Sequence, residues 1–314
     1  MENITSKIKA VMLGHAVADA LGVPVEFMSR SELEQSPVTH MMGFGSYPVP
    51  AGAWSDDTSM SIAALDMIAD SVIDWDAIMM AFAAWYERGK YTPTGELFDI
   101  GNICSRAIRR YLSKEIPATE CGIDGETANG NGSLMRIPPF SLMAWCTHQS
   151  QDEWEIMIDQ ASALTHAHGR SKLACRIYTM LLHKLLNVPT KESIGIALQE
   201  AKCRYADHPE SIHYARLFAD DFAELPCDAI KSTGYVVDSI EAAVWCLLTT
   251  DSYDECVLKA VNLGSDTDTV AAIAGGLAGA LYGIDAIPQE WLNTLLRRDC
   301  IEEMCERAGK RWKS

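Results

Sequence analysis

The chain has 314 residues, and 48% of them are hydrophobic, which is enough apolar material to bury a sizeable core without cross-links. Its 26 lysines and arginines are outnumbered by 43 aspartates and glutamates, giving a formal net charge of -17. This charge repels nucleic acid phosphates and anionic lipids, so we expect neither as a partner, and an anionic ligand would need a local cation or backbone donors.

The cysteines and the N-terminus bear on where the protein works. Ten cysteines are scattered among apolar stretches without the close pairs of a zinc or redox motif, and we interpret them as reduced, mostly buried thiols of a cytoplasmic protein. A secretion signal is not predicted, because His15 and Asp19 interrupt the apolar run near the N-terminus. The apolar run at 270–283 is 14 residues long and too short to cross a bilayer, so no membrane span is predicted either.

Hydrophobic spacing predicts an all-α protein. Helical spacing, as in Ile78, Phe82 and Trp85, recurs almost everywhere, whereas the alternation typical of strands hardly appears. We predict one compact multi-helix domain over residues 1–314, with no low-complexity linker and no sequence repeat. Glycine, proline, asparagine and threonine predict long loops at four places: 42–52, 91–95, 117–139 and 225–234.

The first predicted helix, at 4–21, carries an acid on its apolar face. Asp19 lies at helical spacing from Met12, so a carboxyl group has been placed among residues that are expected to be buried. The helix should stop near Gly22. We therefore expect Glu26 to lie on a loop just beyond its end.

Two acidic segments, SDDT at 55–58 and SDTDT at 265–269, resemble each other, and each opens an apolar helix. Either one alone is explained by helix capping and by the helix dipole. Together with Glu26 and Asp99, however, they predict a cation site if the fold brings them together, because converging carboxylates repel one another and oxygen ligands select hard ions such as Mg²⁺ or Mn²⁺. We expect a central cleft that contains the four aspartates of these segments: Asp56, Asp57, Asp266 and Asp268.

Two further segments offer polar groups. In NGNGS at 129–133, the glycines would let backbone amides face a phosphate, although Asn-Gly pairs also form ordinary turns. The segment LTHAHGR at 164–170 contains His166 and His168, but two histidines without a cysteine or carboxylate partner nearby do not make a convincing zinc site.

The last strong pattern is a run of small residues near the C-terminal end. Gly275, Gly279 and Gly283 recur every four residues in a helix otherwise made of alanine, isoleucine and leucine. Small residues at this spacing let another helix approach closely. We interpret this helix as a central packing element.

Taken in this order, the segments resemble the ADP-ribosylglycohydrolase family. Its members include the enzyme that reactivates ADP-ribosylated dinitrogenase reductase and the animal ADP-ribosylarginine and ADP-ribosylserine hydrolases. The resemblance runs from about Ile8 to Gly283. Its most specific blocks are ADALGVPVEF, WSDDTSM, FDIGNICSRAI, NGNGSLMRIPPF, LTHAHGR, GYVVDSIEAA and NLGSDTDTVAAIAGGLAGALYG.

The resemblance implies roles for residues at the matching positions. It implies a two-ion magnesium or manganese centre with these ligands: Ser55, Asp56, Asp57, Asp266, Asp268 and Thr269. It implies that Glu26 acts in catalysis or gates access, that Asp99 faces the reacting ribose, and that Tyr235 lines the adenosine side. Further ligand contacts, including the diphosphate cradle of the NGNGS loop, are implied for Gly101, Asn131, Gly132, Ser133, Met135 and His166.

Three positions depart from the family pattern. Ala18 replaces a glycine, which we expect to tighten a helix contact while leaving Asp19 in place. Ser55 replaces a threonine and keeps an oxygen ligand, so metal affinity is weakened at most. Ser265 stands where a glycine is common, which leaves the backbone conformation there open.

The implied reaction is hydrolysis of the bond between ribose C1 and an acceptor, with the guanidine nitrogen of ADP-ribosylarginine on a protein as the first choice. Such bonds break through an oxocarbenium-like state, and Glu26 or Asp99 would assist proton transfer, with acid and base not assigned between them. Three alternatives stay open. They are another acceptor such as serine, a DNA base or a free ADP-ribose derivative, a two-metal phosphoester hydrolase, and a relative that binds ADP-ribose without hydrolysing it.

Overall fold

The computed structural model describes residues 3–70, 72–113 and 116–312, and within these ranges it contains helices and loops but no β-strand. The all-α prediction is therefore confirmed. The α-helices are α1 (Ile4–Gly22), α2 (Arg30–Gln35), α3 (Asp56–Ile68), α4 (Trp75–Arg88), α5 (Asn102–Leu112), α6 (Pro138–Cys146), α7 (Gln151–Ala163), α8 (Gly169–Asn187), α9 (Lys191–Arg204), α10 (Val236–Leu248), α11 (Tyr253–Val261), α12 (Thr267–Tyr282), α13 (Gln289–Thr294) and α14 (Arg298–Arg311). Short 3-10 turns occur at Val23–Val25, Ala118–Glu120, Pro209–Tyr214, Phe222–Glu224, Cys227–Ala229 and Ile284–Ala286.

Helix α1 is the central element of the core. The stretch Ile4–Val25 is long and apolar enough to cross a membrane by length and composition, but 94% of its most apolar window is buried by the surrounding helices. Asn3 caps its start by accepting a hydrogen bond from the Thr5 amide at 3.3 Å. At its other end, Pro24 lies in the short 3-10 turn that ends the helix before Glu26, as predicted.

Glycines bring α1 and α12 into close contact. A Cβ atom at Gly279 would lie 2.1 Å from the Ala10 carbonyl oxygen, and one at Gly275 would lie 2.4 Å from the Ala18 Cβ. The predicted close approach is therefore confirmed at these two positions. The Ala18 methyl group packs against Gly275. Gly283 does not belong to it, because that residue lies just past α12 and caps the helix with a positive φ of 82°.

We expect Gly279→Ala to destabilise the fold by about 2 kcal/mol, because the added methyl group must push two backbones apart. The matched control is Gly195→Ala in α9, where an added Cβ meets nothing within 4 Å. That change should stabilise the fold by about 0.5 to 1 kcal/mol, since alanine is the better helix former. Urea denaturation measures both, and equal midpoints for the two variants would contradict the packing account.

The cysteines agree with the sequence prediction. All ten are free thiols, and seven of them are buried. Only Cys203 and Cys227 are exposed. Mostly buried thiols were therefore predicted correctly.

The same packing assembles the site. A Cβ at Gly22, the last residue of α1, would lie 2.4 Å from the Asp268 Cα, so the end of α1 touches the first turn of α12. The first turn of α3 is tied to α1 by a hydrogen bond from the Ser55 amide to Asp19. Two acidic helix starts that are far apart in sequence thus meet at the end of one buried helix.

Candidate active site

Asp19 anchors the first acidic segment. Its Oδ1 accepts a hydrogen bond from the Ser55 amide at 2.9 Å, and its Oδ2 accepts from the Thr58 amide at 3.0 Å and from the Thr58 hydroxyl at 2.6 Å. Burial raises the pKa of Asp19 to about 6. Because both carboxyl oxygens are engaged by donors from 55–58, Asp19 positions the start of α3. The sequence placed this acid on a buried face without assigning it that role.

Asp57 links the two acidic segments. Its Oδ2 accepts from the Ser55 hydroxyl at 2.9 Å and from the Thr269 hydroxyl at 3.2 Å, so α3 and α12 are joined through one carboxylate. Its Oδ1 is buried and has no hydrogen-bond partner among the described residues. Burial, followed by the charges of Asp19 and Asp56, raises the pKa of Asp57 well above its usual range.

The second acidic segment is held in the same way. Asp266 Oδ2 accepts from the Asn131 side-chain amide at 2.7 Å, and Asp268 Oδ1 accepts from the Thr269 amide at 2.8 Å. Asp268 Oδ2 is buried without a partner in the described part of the chain. Burial, and then the charges of neighbouring acids led by Glu26, raise the pKa of Asp268 well above its usual range.

Ser265, whose conformation the sequence left open, adopts a left-handed backbone with φ of 67°. Two hydrogen bonds of 2.7 Å hold it there, from its own amide to the Met28 carbonyl and from the Phe27 amide to its carbonyl. Such a conformation costs a non-glycine residue free energy and persists only where the surroundings impose it. The two bonds tie the loop that carries Glu26 to the start of α12.

The carboxylates converge as expected. Oxygen atoms of Asp19, Asp57 and Asp268 lie within 4.8 Å of one another, and so do those of Glu26, Asp266 and Asp268. Asp268 belongs to both groups. The predicted meeting of residues separated by about two hundred positions is thus confirmed for the aspartates at 57, 266 and 268.

The fourth predicted aspartate, Asp56, borders the same cavity as Asp266. It is buried, and its Oδ2 accepts from the Gly101 amide at 3.3 Å, which fixes the start of α5 beside the acids. Burial, and then the charge of Asp99, raise the pKa of Asp56 well above its usual range. The Gly101 amide therefore holds the Asp56 side chain at the border of the cavity.

The unpartnered oxygens fit hard cations. Glu26 Oε2, Asp57 Oδ1 and Asp268 Oδ2 are all buried without a hydrogen-bond partner among the described residues. Leaving such atoms unpaired is costly, and several carboxylates at this spacing repel one another unless a cation intervenes. An all-oxygen donor set suits Mg²⁺ or Mn²⁺. Asp19 differs from these acids because donors already occupy both of its oxygens.

Glu26, Asp99 and Tyr47 form the edge of the acidic cluster. Glu26 is 6% exposed, and burial, followed by the charges of Asp99 and Asp266, raises its pKa to about 8. The Tyr47 side chain lies beside both Glu26 and Asp99, and its ring lies 5.0 Å from that of Phe98. Tyr47 was not predicted, because it lies in an irregular loop whose sequence signals only a turn.

A cavity of about 400 Å³ opens beside these acids. Glu26, Asp56, Asp99 and Asp266 border one part of it, and Met135 lies on its wall. Its walls also include most of the residues to which the family resemblance assigns ligand contacts: Gly101, Asn131, Gly132, Met135 and His166. The structure thus places these residues around one space, while their contacts with a ligand stay predictions.

Ser133 and Tyr235 lie outside the lining of this cavity. The Ser133 hydroxyl is fully buried and hydrogen-bonded to Ser162 at 2.9 Å, so only its backbone is available to a ligand. Tyr235 is half-buried and follows Gly234, which does line the cavity, and its ring lies 5.9 Å from the Arg170 guanidinium. A ligand contact by the Ser133 backbone and one by the Tyr235 side chain stay predictions.

The NGNGS loop presents free backbone amides. The Asn131 amide is used, because it donates to the Gly234 carbonyl at 3.1 Å. The amides of Gly130, Gly132 and Ser133 make no hydrogen bond within the described ranges, and both glycines border the cavity. A concave set of unpaired amides is suited to an anion.

A chain of hydrogen bonds orients His166. Arg136 Nη2 donates to the Thr165 hydroxyl at 2.7 Å, and that hydroxyl lies 2.9 Å from His166 Nδ1. Because arginine can only donate, the Thr165 hydroxyl is free to direct its own proton to Nδ1, which leaves the proton of neutral His166 on Nε2. Burial, and then the charge of Arg136, lower the pKa of His166 to about 3. His166 therefore offers the cavity a donor. Arg136, fully buried over the Phe82 ring, was not assigned a role from the sequence.

With a chelator present, we expect the protein to be more stable near pH 5 than near pH 8. Folding raises the pKa of Glu26 from 4.5 to about 8 and the pKa values of Asp56, Asp57 and Asp268 well above their usual range, so the stability that depends on their protons falls as the pH rises from 5 through 8. The lowered pKa of buried His166 acts in the opposite direction, but only below about pH 6.5. Melting temperatures across this range test the trend. Without the chelator, Mn²⁺ at about a hundred times its Kd should add about 2.7 kcal/mol to the free energy of unfolding, which offsets the loss of stability at high pH. A chelated protein that grows more stable from pH 5 to pH 8 would contradict the clustering.

Comparisons with known proteins extend over most or all of the chain. The family model described as ADP-ribosylglycohydrolase matches residues 1–314. The chain is 32% identical over 307 residues to ADP-ribosylarginine hydrolase Tri1 of Pseudomonas putida (strain GB-1), which covers 97% of this chain and 78% of that protein. It is 33% identical over 296 residues to ADP-ribosyl-[dinitrogen reductase] glycohydrolase of Rhodospirillum rubrum, covering 93% and 91%. A solved structure titled ADP-ribosylglycohydrolase-related protein complex superposes with a TM-score of 0.83 at 28% identity, covering 100% of both chains.

Proposed function

The chain belongs to the ADP-ribosylglycohydrolase family, and from this premise we propose that it hydrolyses the bond between ribose C1 and the guanidine nitrogen of ADP-ribosylarginine on a protein, using two Mg²⁺ or Mn²⁺ ions. The arginine acceptor is supported by the name of the Pseudomonas putida relative. The observation that carries the proposal is that Asp57 and Asp266 both lie close to Asp268, while buried oxygens of Asp57 and Asp268 have no hydrogen-bond partner among the described residues. Carboxylates that meet on both sides of one shared acid suit a two-ion centre.

The polarity of the cavity supports an ADP-ribose conjugate. Four carboxyl groups border it at one side, where a ribose ring acquiring positive charge would be stabilised. The unpaired amides of Gly130 and Gly132, together with His166 Nε2–H, supply donors that suit a diphosphate. An ADP-ribose conjugate carries an anionic diphosphate in its middle, and its ribose C1 gains positive charge as the bond breaks, so it matches both features.

The ions would be held by the unpartnered oxygens of Asp57 and Asp268, together with Asp56, Asp266 and the hydroxyl residues Ser55 and Thr269. When bound, ions of this kind polarise water and neutralise the carboxylates around them. Ser55 and Thr269 already hydrogen-bond Asp57, so both hydroxyls lie at the junction of the two segments.

We assign proton transfer to Glu26 and ring stabilisation to Asp99. Burial raises the pKa of Glu26 to about 8. A group whose pKa lies near the pH of the reaction can both give and take a proton. Tyr47 lies beside both acids and borders this edge of the cluster. Asp99, also at the cavity edge, then faces the developing charge of the ribose.

The test is turnover of free ADP-ribosylarginine, followed by chromatography of the products. We expect arginine and ADP-ribose to appear with Mg²⁺ or Mn²⁺, to disappear with a chelator and to return when the ion is restored. Turnover that ignores the chelator would contradict the two-ion account. Release of AMP or inorganic phosphate from model esters, without release of arginine, would support the phosphoester alternative instead.

We also propose that the protein works in the cytoplasm. Ten free thiols favour a reducing compartment. Fractionation of cells, with the protein detected by antibody, tests the location.

The net charge of -17 favours a protein or small conjugate over nucleic acid as the substrate.

A further inference from the structure

The outer face of α5 carries a cluster of uncompensated positive charge. Arg106, Arg109 and Arg110 are all exposed, and none of them forms an ion pair with a carboxylate in the described part of the chain. Other arginines do so: Arg170, Arg176, Arg204, Arg216, Arg298 and Arg307. The chain as a whole is acidic, with 43 aspartates and glutamates. Three neighbouring arginines without a carboxylate partner among the described residues therefore make this part of the surface locally positive.

Neutral partners fix two of these arginines. Arg109 donates to the Tyr86 hydroxyl at 3.0 Å and to the Ser105 hydroxyl at 2.7 Å. Arg110 donates to the Gly122 carbonyl at 3.2 Å. These contacts hold the guanidinium groups in place without neutralising them, so the charge stays available to a partner.

The arginines lie next to the mouth of the active-site cavity. Asn102, which lines that cavity, stands four residues before Arg106 and seven before Arg109, and so shares a helix face with both. At a rise of 1.5 Å per residue, the three arginines lie about 6 to 12 Å beyond Asn102 along the axis of α5. They border a surface depression of about 590 Å³ with Ser113, Ile123 and a single acid, Asp124. Three positive groups against one negative group leave the depression basic.

We propose that this α5 arginine face, formed by Arg106, Arg109 and Arg110, docks an acidic surface of the substrate protein beside its modified arginine. The proposal rests on the proposed function, since a side chain that enters the cavity must come from a protein surface lying over its mouth. A net charge of -17 repels such an acidic surface at long range, and the basic face orients it at short range. Nucleic acid fits less well, because its affinity depends on many phosphate contacts and this face offers three arginines.

The test compares three substrates: free ADP-ribosylarginine and two ADP-ribosylarginine peptides, one flanked by glutamates and one by lysines. At about 0.15 M ionic strength, where a Debye length of about 8 Å screens the distant acids of the protein, we expect wild type to prefer the glutamate-flanked peptide by about three- to tenfold in kcat/KM, and high salt to abolish the preference. Arg106 makes no hydrogen bond or ion pair with its side chain within the described ranges, so Arg106→Glu should remove or invert the preference while leaving turnover of free ADP-ribosylarginine unchanged.

Lys310→Glu is the matched control, with the same change of charge on exposed α14 surface. Its neighbour Gly309 packs against Thr5 at the start of α1, the opposite end of that helix from Glu26. This variant should keep the wild-type preference. An equal loss in both variants would mean that total charge, and not the α5 face, sets the preference, and would overturn the proposal.

Binding of the same peptides without ADP-ribose, measured by fluorescence anisotropy, separates docking from catalysis. Tighter binding of the glutamate-flanked peptide that is lost in Arg106→Glu supports docking even if no conjugate is turned over, in which case the proposed function alone fails. Equal binding of both peptides by wild type, with free ADP-ribosylarginine turned over, overturns the docking proposal alone. An Arg106-dependent preference for an oligothymidylate over the glutamate-flanked peptide would also overturn it and assign the face to nucleic acid.

Discussion

Asp268→Asn is expected to reduce turnover at least about 10³-fold while the protein stays folded, since loss of an ion ligand removes several kcal/mol of transition-state stabilisation. Asp268 is the acid common to both carboxylate groups, and its Oδ2 is buried without a partner in the described residues. Asparagine keeps the size of the side chain and an oxygen for the Thr269 amide, which now donates to Oδ1. It removes the charge that a cation needs.

The same change should weaken Mn²⁺ binding in calorimetric titration and raise the melting temperature of the chelated protein. The second effect follows because burial and nearby acids raise the pKa of Asp268 well above its usual range, so its neutral form suits the fold. The matched control is Asp285→Asn, an exposed aspartate beyond the other end of α12. A Mn²⁺ titration that matches wild type, together with full activity, would overturn the ligand assignment.

Glu26→Gln is expected to slow single-turnover release of ADP-ribose by about 10² to 10⁴ while leaving the affinity for ADP-ribose nearly unchanged. Glutamine keeps the volume and an accepting oxygen, but it can neither give nor take a proton. The raised pKa of about 8 and the place of Glu26 at the cavity edge are the grounds on which we propose it as the proton-carrying group of the site.

The competing interpretation is that Glu26 only supports the turn after α1. Under that interpretation, Glu26→Gln lowers the melting temperature and leaves turnover of the folded protein almost untouched. Glu32→Gln provides the comparison, because Glu32 completes a capping box at the start of the neighbouring α2 and has such a structural role. Wild-type release rates in the Glu26 variant would remove this residue from the mechanism.

Local patterns in the sequence predicted the all-α class, the first helix and the starts of two further helices. The four-residue spacing of Gly275 and Gly279 predicted the close contact with another helix, because backbone approach depends directly on the absence of a Cβ atom. The acidic segments at 55–58 and 265–269 placed the starts of α3 and α12 correctly, although a side-chain cap is present only at α3, where Ser55 supplies it. Gly283 shows the limit of such patterns, since it continues the spacing but ends the helix.

The site was less predictable because it depends on contacts between distant segments. Composition alone did not show that the aspartates meet; the order of several motifs suggested it by family resemblance. Asp19 was recognised as a buried acid, yet its donors at 55–58 are supplied only by packing of α3 against α1. Tyr47 and Arg136 were assigned no role, since an aromatic residue in a loop and one basic residue in an apolar run carry no signal that names their partners.

The most direct measurement of the central claim is a mass-spectrometric assay of two matched peptides, one carrying ADP-ribosylarginine and the other ADP-ribosylserine. Each is incubated with the protein in Mg²⁺, in Mn²⁺ and in chelator. We expect the arginine peptide to lose ADP-ribose with either ion, to stay modified in chelator, and to react faster than the serine peptide. Loss of ADP-ribose from the serine peptide alone would contradict the proposed acceptor, and intact peptides under every condition would contradict the proposed hydrolysis itself.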